Sequence, residues 1–188
     1  MDTRPIEGDI HYVREVLERS EEKRSPRAIY FLWAAIVLVG FALVDFAPRQ
    51  VGIYWMIVGP AGALVSGILG WRQGKRRGQM DRAIGLRHSL HWLGMMGAIL
   101  LLVLMRITGG LGEVSLGRVI VVIVALGYFL AGVHLERPLL WIGLLMAGGY
   151  LVILFTSGYT WTMVGAILAV SMVAAAFTGE RHSEHAIS

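Results

Sequence analysis

Long apolar runs, separated by short charged or turn-forming segments, dominate the chain. A helix needs about 20 apolar residues to cross a hydrocarbon core of about 30 Å, and residues 28–46 and 51–71 are the first two such runs. Two more lie between Arg87 and Arg106 and between Arg118 and Glu136. Residues 138–179 contain no Asp, Glu, Lys or Arg and have room for two spans, divided at the turn-like residues 156–159. The pattern therefore predicts an all-α, polytopic membrane protein with six transmembrane helices.

A short amphipathic helix is predicted ahead of the first span. Asp9 is a suitable N-cap. Apolar residues then recur at helical spacing on one face, namely Ile10, Val13, Val16 and Leu17. Such a helix either lies at the membrane interface or docks a cytoplasmic partner. The chain thus divides into a cytoplasmic N-terminal segment, a transmembrane domain and a cytoplasmic tail, at residues 1–27, 28–179 and 180–188.

Composition excludes several classes of protein. With 56% hydrophobic residues, 16% charged residues and a mean hydropathy of +0.64, the chain has too little polar surface for a soluble fold of this size. The absence of cysteine excludes disulfides, thiolate metal sites and thiol catalysis. The net charge of +4 comes from cations beside apolar spans, which is typical of membrane topology signals and not of nucleic-acid binding.

The cations also predict the orientation. The N-terminal segment carries six Lys and Arg residues. The connection after the second span carries six more, which are Arg72, Lys75, Arg76, Arg77, Arg82 and Arg87. With both termini in the cytoplasm, 14 of the 17 cations lie inside, and only Arg49, Arg106 and Arg118 lie outside. The positive-inside rule therefore predicts cytoplasmic termini, and the short, positively flanked spans suit a prokaryotic inner membrane.

Small residues recur every four positions along the second predicted span. They form two strips on adjacent faces, Gly59, Ala63 and Gly67 on one and Gly62, Ser66 and Gly70 on the other. Such strips let helix backbones approach closely in lipid. Two strips predict neighbours on both sides of this helix, either within the chain or in a second copy of it.

The second and sixth spans open with a related sequence. Residues 51–59 and 157–165 both read G-x-x-W-x-x-V-G, and the first, third and fifth spans each begin with a tryptophan, which are Trp33, Trp92 and Trp141. One interpretation is three helical hairpins in a parallel repeat of roughly 50 to 60 residues. The other is that the membrane interface alone places Trp and Gly in this way.

The predicted membrane centre lacks ionisable acids and bases. Its polar side chains are Ser66, Tyr128, Tyr150 and Ser171. Ion-coupled transporters, proton pumps and voltage sensors depend on charged groups at this depth, so an ion pathway within one subunit is not expected. The chain also contains no phosphate loop, no G-x-S-x-G and no H-E-x-x-H, so no catalytic residue is predicted.

Histidines supply the one candidate site. In the predicted topology all six lie at the cytoplasmic face, which are His11, His88, His91, His134, His182 and His185. His88 and His91 share a helix face, and His134 ends a neighbouring antiparallel helix. Imidazoles so placed can bind Zn²⁺ or another divalent metal, or ligate haem. Alternatively they respond to pH or are plain interfacial residues.

Three functions follow, in order of preference. The first is an accessory, regulatory or scaffold subunit that engages a cytoplasmic partner through the basic connection and the N-terminal helix. The second is an oligomeric transporter or permease component, suggested by the glycine strips. The third is a metal- or haem-binding membrane protein that uses His88, His91 and His134.

Overall fold

The computed structural model describes residues 25–76, 82–110 and 115–177, with side chains from residue 85 onward in the second range. Regular structure in these ranges is entirely helical: α1 (Arg27–Phe46), α2 (Val51–Arg76), α3 (Arg82–Ile107), α4 (Leu116–His134), α5 (Arg137–Phe155) and α6 (Thr160–Phe177). Each helix is long and apolar enough to cross a membrane. For the residues that the structure describes, the prediction of an all-α fold with six such helices is therefore confirmed. The predicted N-terminal helix and the tail lie outside the described residues.

Proline and glycine mark several helix ends. Pro26 is the N-cap residue of α1, and Pro138 lies in the first turn of α5, where its missing N–H removes no helical hydrogen bond. The connection from α5 to α6 turns at Gly158, whose φ of +97° suits a residue without a Cβ. Only Leu135 and Glu136 join α4 to α5. These short links place consecutive helices antiparallel.

Two helices extend beyond their predicted bounds. α2 continues past residue 71 to Arg76, and α3 begins at Arg82, ahead of the predicted start after Arg87. Arg and Lys have high helix propensity, so a helix can continue through them. A cation that follows an apolar run therefore does not by itself end the helix. Most of the predicted basic loop is helical for this reason.

The helices pack in the spatial order α2, α1, α6, α5, α4, α3. The most extensive contacts are between α1 and α6 and between α4 and α5. These four helices supply nearly all of the buried residues, whereas α2 contributes only Gly62 and α3 contributes none among its described side chains. The core thus lies along α1, α6, α5 and α4, and α2 and α3 attach at the two ends of the row.

The contact between α1 and α6 combines ring packing with a hydrogen-bonded carboxylate. Phe41 lies against Gly165 and against the ring of Trp161, at 5.7 Å between centroids. At the end of α1, Asp45 Oδ2 accepts hydrogen bonds from the backbone N–H of Thr162 (2.7 Å) and from its hydroxyl (2.6 Å). Asp45 therefore satisfies a free N–H in the first turn of α6, as an N-cap side chain would.

The two small-residue strips of α2 have different surroundings. Gly62 lies against Ile36 of α1, and the Ser66 hydroxyl accepts a hydrogen bond from Trp33 Nε1 at 3.0 Å. In contrast, no atom lies within 4 Å of the Cβ positions of Gly59 and Gly67, and Ala63 between them is exposed. Gly70 is also open. Within the described residues α2 has one closely packed neighbour, which is α1. The strip of Gly59, Ala63 and Gly67 faces away from that contact.

The segments with the shared G-x-x-W-x-x-V-G sequence both pack against α1. Trp55 of α2 lies against Gly40, and Trp161 of α6 packs against the next residue, Phe41. The hairpin pairs α1–α2, α3–α4 and α5–α6 are neighbours, but the larger interfaces lie between hairpins. The parallel repeat stays a prediction.

Candidate functional site

One end of the bundle collects the starts of α1, α3 and α5 and the ends of α2, α4 and α6. The guanidinium of Arg27, at the start of α1, lies 5.8 Å from the ring centroid of Phe177 at the end of α6. Tyr30, one turn into α1, reaches Glu136 between α4 and α5. Trp33 of α1 meets Ser66 in the second half of α2, and Trp92 near the start of α3 meets Tyr128 in the second half of α4. We call this end the basic end.

The basic end carries most of the described cations on its surface. Its exposed Lys and Arg residues are Arg27, Arg72, Lys75, Arg76, Arg87 and Arg137. The opposite end has Arg49, Arg106 and Arg118. Of the predicted basic connection, Arg72, Lys75 and Arg76 lie in the last turns of α2 and Arg87 lies on α3. Arg77 and the side chain of Arg82 lie outside the described residues. The structure thus presents part of this charge on helices.

His91 connects α3 to α4. Its Nε2 lies 3.0 Å from the backbone oxygen of Gly127. Because a carbonyl oxygen only accepts, we assign the proton to Nε2. The ring also meets Trp92 edge-on at 5.2 Å, and Trp92 in turn meets the buried Tyr128. One nitrogen of His91 is therefore engaged in helix packing.

The predicted histidines come near one another without forming a metal centre. His91 and His134 line a shallow pocket of about 390 Å³ together with Arg87, Leu90 and Leu135. His88 interacts electrostatically with His91 and Glu136. Among the described side chains, no three His, Cys, Asp or Glu lie close enough to hold a metal ion. The metal and haem hypothesis for His88, His91 and His134 stays a prediction.

Glu136 is a central residue of the basic end that the sequence did not reveal. It is only 5% exposed. Its Oε2 accepts a hydrogen bond from the Tyr30 hydroxyl at 2.8 Å, and its Oε1 accepts from the backbone N–H of Ser25 at 3.1 Å and from the Ser25 hydroxyl. The one available signal in the sequence is the position of this carboxylate in a two-residue link between apolar helices. Burial of a carboxylate there is favourable only if the carboxylate is hydrogen-bonded. Glu136 ties the start of α1 to the α4–α5 turn.

The polar groups in the middle of the helices serve packing. Ser66 donates to the Gly62 carbonyl at 2.8 Å, and Ser171 donates to the Leu168 carbonyl at 2.7 Å. No buried side-chain nitrogen or oxygen in the described part of the chain lacks a hydrogen-bond partner. These groups are therefore already engaged within the bundle, whereas the cations of the basic end lie on its surface.

The chain matches no protein-family model, no curated protein and no solved structure. Function is therefore argued from the geometry alone. What the geometry offers chemically is a positively charged surface held on helix ends, next to an apolar bundle whose interior bonds are satisfied. Such a surface can bind anionic groups.

Proposed function

We propose that the chain is a six-span inner-membrane protein with both termini in the cytoplasm, serving as an accessory or scaffold subunit. Its basic end would bind an acidic surface of a cytoplasmic protein. The single observation that carries this proposal is the exposed cation cluster at the end of α2 and the start of α3. Fourteen of 17 cations on one side support the orientation.

The cations at the end of α2 are arranged as one surface. Arg72, Lys75 and Arg76 stand at positions i, i+3 and i+4 of a helix, so they share a face. Lys75 Nζ lies 5.6 Å from the centroid of the Trp71 ring, which orients it beside an aromatic group at the same end. The helix fixes the backbone positions that carry these charges. An acidic partner therefore meets a surface whose backbone is already ordered before binding.

Photo-cross-linking in native membranes tests this proposal. We expect a photoreactive phenylalanine at exposed Trp71 to capture a discrete cytoplasmic protein, and the same group at exposed Tyr159, at the opposite end, to capture none. Changing Arg72, Lys75 and Arg76 together to glutamine should weaken the purified complex roughly threefold to hundredfold, since each exposed pair contributes about 0.2 to 1 kcal/mol. Raising the salt concentration should also weaken the complex, because salt screens charges on the surface.

The matched control changes Arg49, Arg106 and Arg118 to glutamine at the opposite end. This variant should bind the partner like the wild type. Equal loss in both triple variants, or cross-linking to lipid alone at residue 71, would remove the proposed partner surface.

A second candidate is a subunit of an oligomeric transporter or permease. The open strip of Gly59, Ala63 and Gly67 favours it, because a helix backbone could approach α2 there. We expect Gly67→Leu to reduce self-association at least about tenfold. The leucine side chain would prevent the close approach of a second helix backbone to α2. Gly94→Leu is the control, at an equally open glycine of α3. Light scattering in detergent measures the oligomeric state of each variant. A monomeric wild type would rule out this assembly.

A further inference from the structure

An apolar groove runs along the outer side of α5 and α6. It has a volume of about 420 Å³. The residues that shape it are Trp141, Leu145, Gly148 and Val152 of α5 and Met163 and Ile167 of α6. Trp141 is 67% exposed and Met163 is 66% exposed, so the groove opens outward from the bundle.

Two adjacent glycines give the groove its floor. The Cβ position of Gly149 lies against Val164 of α6, so the helices touch there. No atom lies within 4 Å of the Cβ position of Gly148, so the space next to it is open. At the far end, the Thr160 hydroxyl is engaged with the Ser157 carbonyl (3.3 Å) and the Thr156 hydroxyl (3.1 Å). The groove therefore offers apolar surface and no unsatisfied polar group along its length.

The length of the groove fits one acyl chain. Trp141 and Val152 are 11 residues apart on α5, which corresponds to about 16 Å along a helix axis. One leaflet of the hydrocarbon core is about 15 Å thick. An acyl chain that enters beside Trp141 therefore has room to lie in the groove to its end near Val152.

A cation stands where the headgroup of such a lipid would lie. Arg137 is exposed and precedes Trp141 by four residues, so the two share a face of α5 at the basic end. The neighbouring carboxylate of Glu136 is buried and accepts hydrogen bonds from Ser25 and Tyr30, whereas the Arg137 side chain is exposed. The order along one helix face is therefore cation, tryptophan, apolar groove, which matches phosphate, interface and acyl chain.

We propose that the α5–α6 groove binds one acyl chain of an anionic phospholipid whose phosphate contacts Arg137. The site is independent of the partner surface on α2 and rests only on the membrane insertion proposed above. Arg137 favours an anionic over a zwitterionic headgroup, and the open space next to Gly148 accommodates the acyl chain.

Photo-labelling in lipid nanodiscs tests this site. Full-length protein is placed in phosphatidylcholine that contains a small fraction of phosphatidylglycerol with a diazirine in its acyl chain. We expect labels on the α5 and α6 residues of the groove, at about fivefold higher yield than with the matching phosphatidylcholine probe, as one cation beside an anionic headgroup gives. Equal yields from the two probes would overturn the proposal.

Two variants separate the groove from the headgroup contact. Gly148→Phe fills the open space and should lower labelling there about tenfold, whereas Gly94→Phe, at an open glycine away from the groove, should not. Arg137→Gln should keep the labelling but remove the lipid preference. Unchanged labelling in Gly148→Phe would contradict the groove. Resistance of each variant to alkaline extraction shows separately that the chain remains inserted.

Discussion

Replacing Gly143 with alanine is expected to destabilise the folded bundle by about 1 to 3 kcal/mol, the usual cost of overpacking. A Cβ at this position of α5 would lie 2.8 Å from the backbone oxygen of Ala125 and against the backbone of Phe129, both in α4. Backbone atoms cannot rotate aside as side chains do, so the two helices would have to separate. Because α4–α5 is one of the two most extensive interfaces, separation also loosens the core.

Alanine substitutions at open glycines provide the controls for Gly143→Ala. Gly94 and Gly148 have no atom within 4 Å of the Cβ position, so Gly94→Ala and Gly148→Ala should leave stability unchanged or raise it by up to about 1 kcal/mol through helix propensity. Gly132, whose Cβ position lies against the backbone of Leu140, should behave like Gly143. Unfolding is followed by far-UV circular dichroism in mixed micelles with increasing SDS. Equal midpoints for Gly143→Ala and Gly94→Ala would show that α4 and α5 are not in this close contact.

These glycines show what the sequence pattern could and could not predict about packing. Of the two faces of α2 that carry i, i+4 strips of small residues, the one with Gly62 and Ser66 meets another described helix and the other does not. The tightest backbone contacts lie elsewhere, at Gly132 and Gly143. A weaker signal exists, because Ala125 and Gly132 are seven residues apart and share a face of α4. Spacing identifies a possible contact face, and the spatial order of the helices decides which face is used.

Helix number was predictable and helix ends were not. Each of the six apolar runs of span length forms a helix, and each helix is long and apolar enough to cross a membrane. The sequence pattern ends α2 at the first cation that follows the apolar run, whereas the helix continues through Arg72 to Arg76. In the same way the pattern starts α3 after Arg87, whereas the helix already begins at Arg82. Charge reports the depth of a residue relative to the membrane surface, and it reports helix termination only poorly.

At the basic end, the sequence predicts which residues lie together but not which hydrogen bonds they make. Helix direction alone brings His88, His91 and His134 to one end, as the sequence predicted. The hydrogen bond of His91 to the Gly127 carbonyl depends on how α3 rotates against α4, which periodicity does not give. Glu136 was missed because its partners Ser25 and Tyr30 lie more than 100 residues away in the chain.

Glu136→Ala is expected to cost about 3 kcal/mol of stability, since the hydrogen bonds that this carboxylate accepts are lost and bonds to a charged acceptor contribute about 1.5 to 3 kcal/mol. The affected donors are the Tyr30 hydroxyl and the backbone and side chain of Ser25. Glu136→Gln should cost less, because its amide retains one oxygen acceptor in the same volume. Tyr30→Phe should cost about 1.5 kcal/mol, since the hydrogen bond from its hydroxyl to the Glu136 carboxylate is lost.

A double-mutant cycle decides whether Glu136 acts through Tyr30. The free energies of unfolding of Glu136→Ala, Tyr30→Phe and the double variant are compared by SDS titration, with Tyr159→Phe as the control at a 64% exposed tyrosine. If the 2.8 Å hydrogen bond joins the two residues, Tyr30→Phe should cost about 1 kcal/mol less once Glu136 is alanine, and this difference is the coupling energy. Full additivity would mean that each side chain stabilises the bundle separately. Coupling would show that a carboxylate between α4 and α5 holds the start of α1, and with it the position of the basic end.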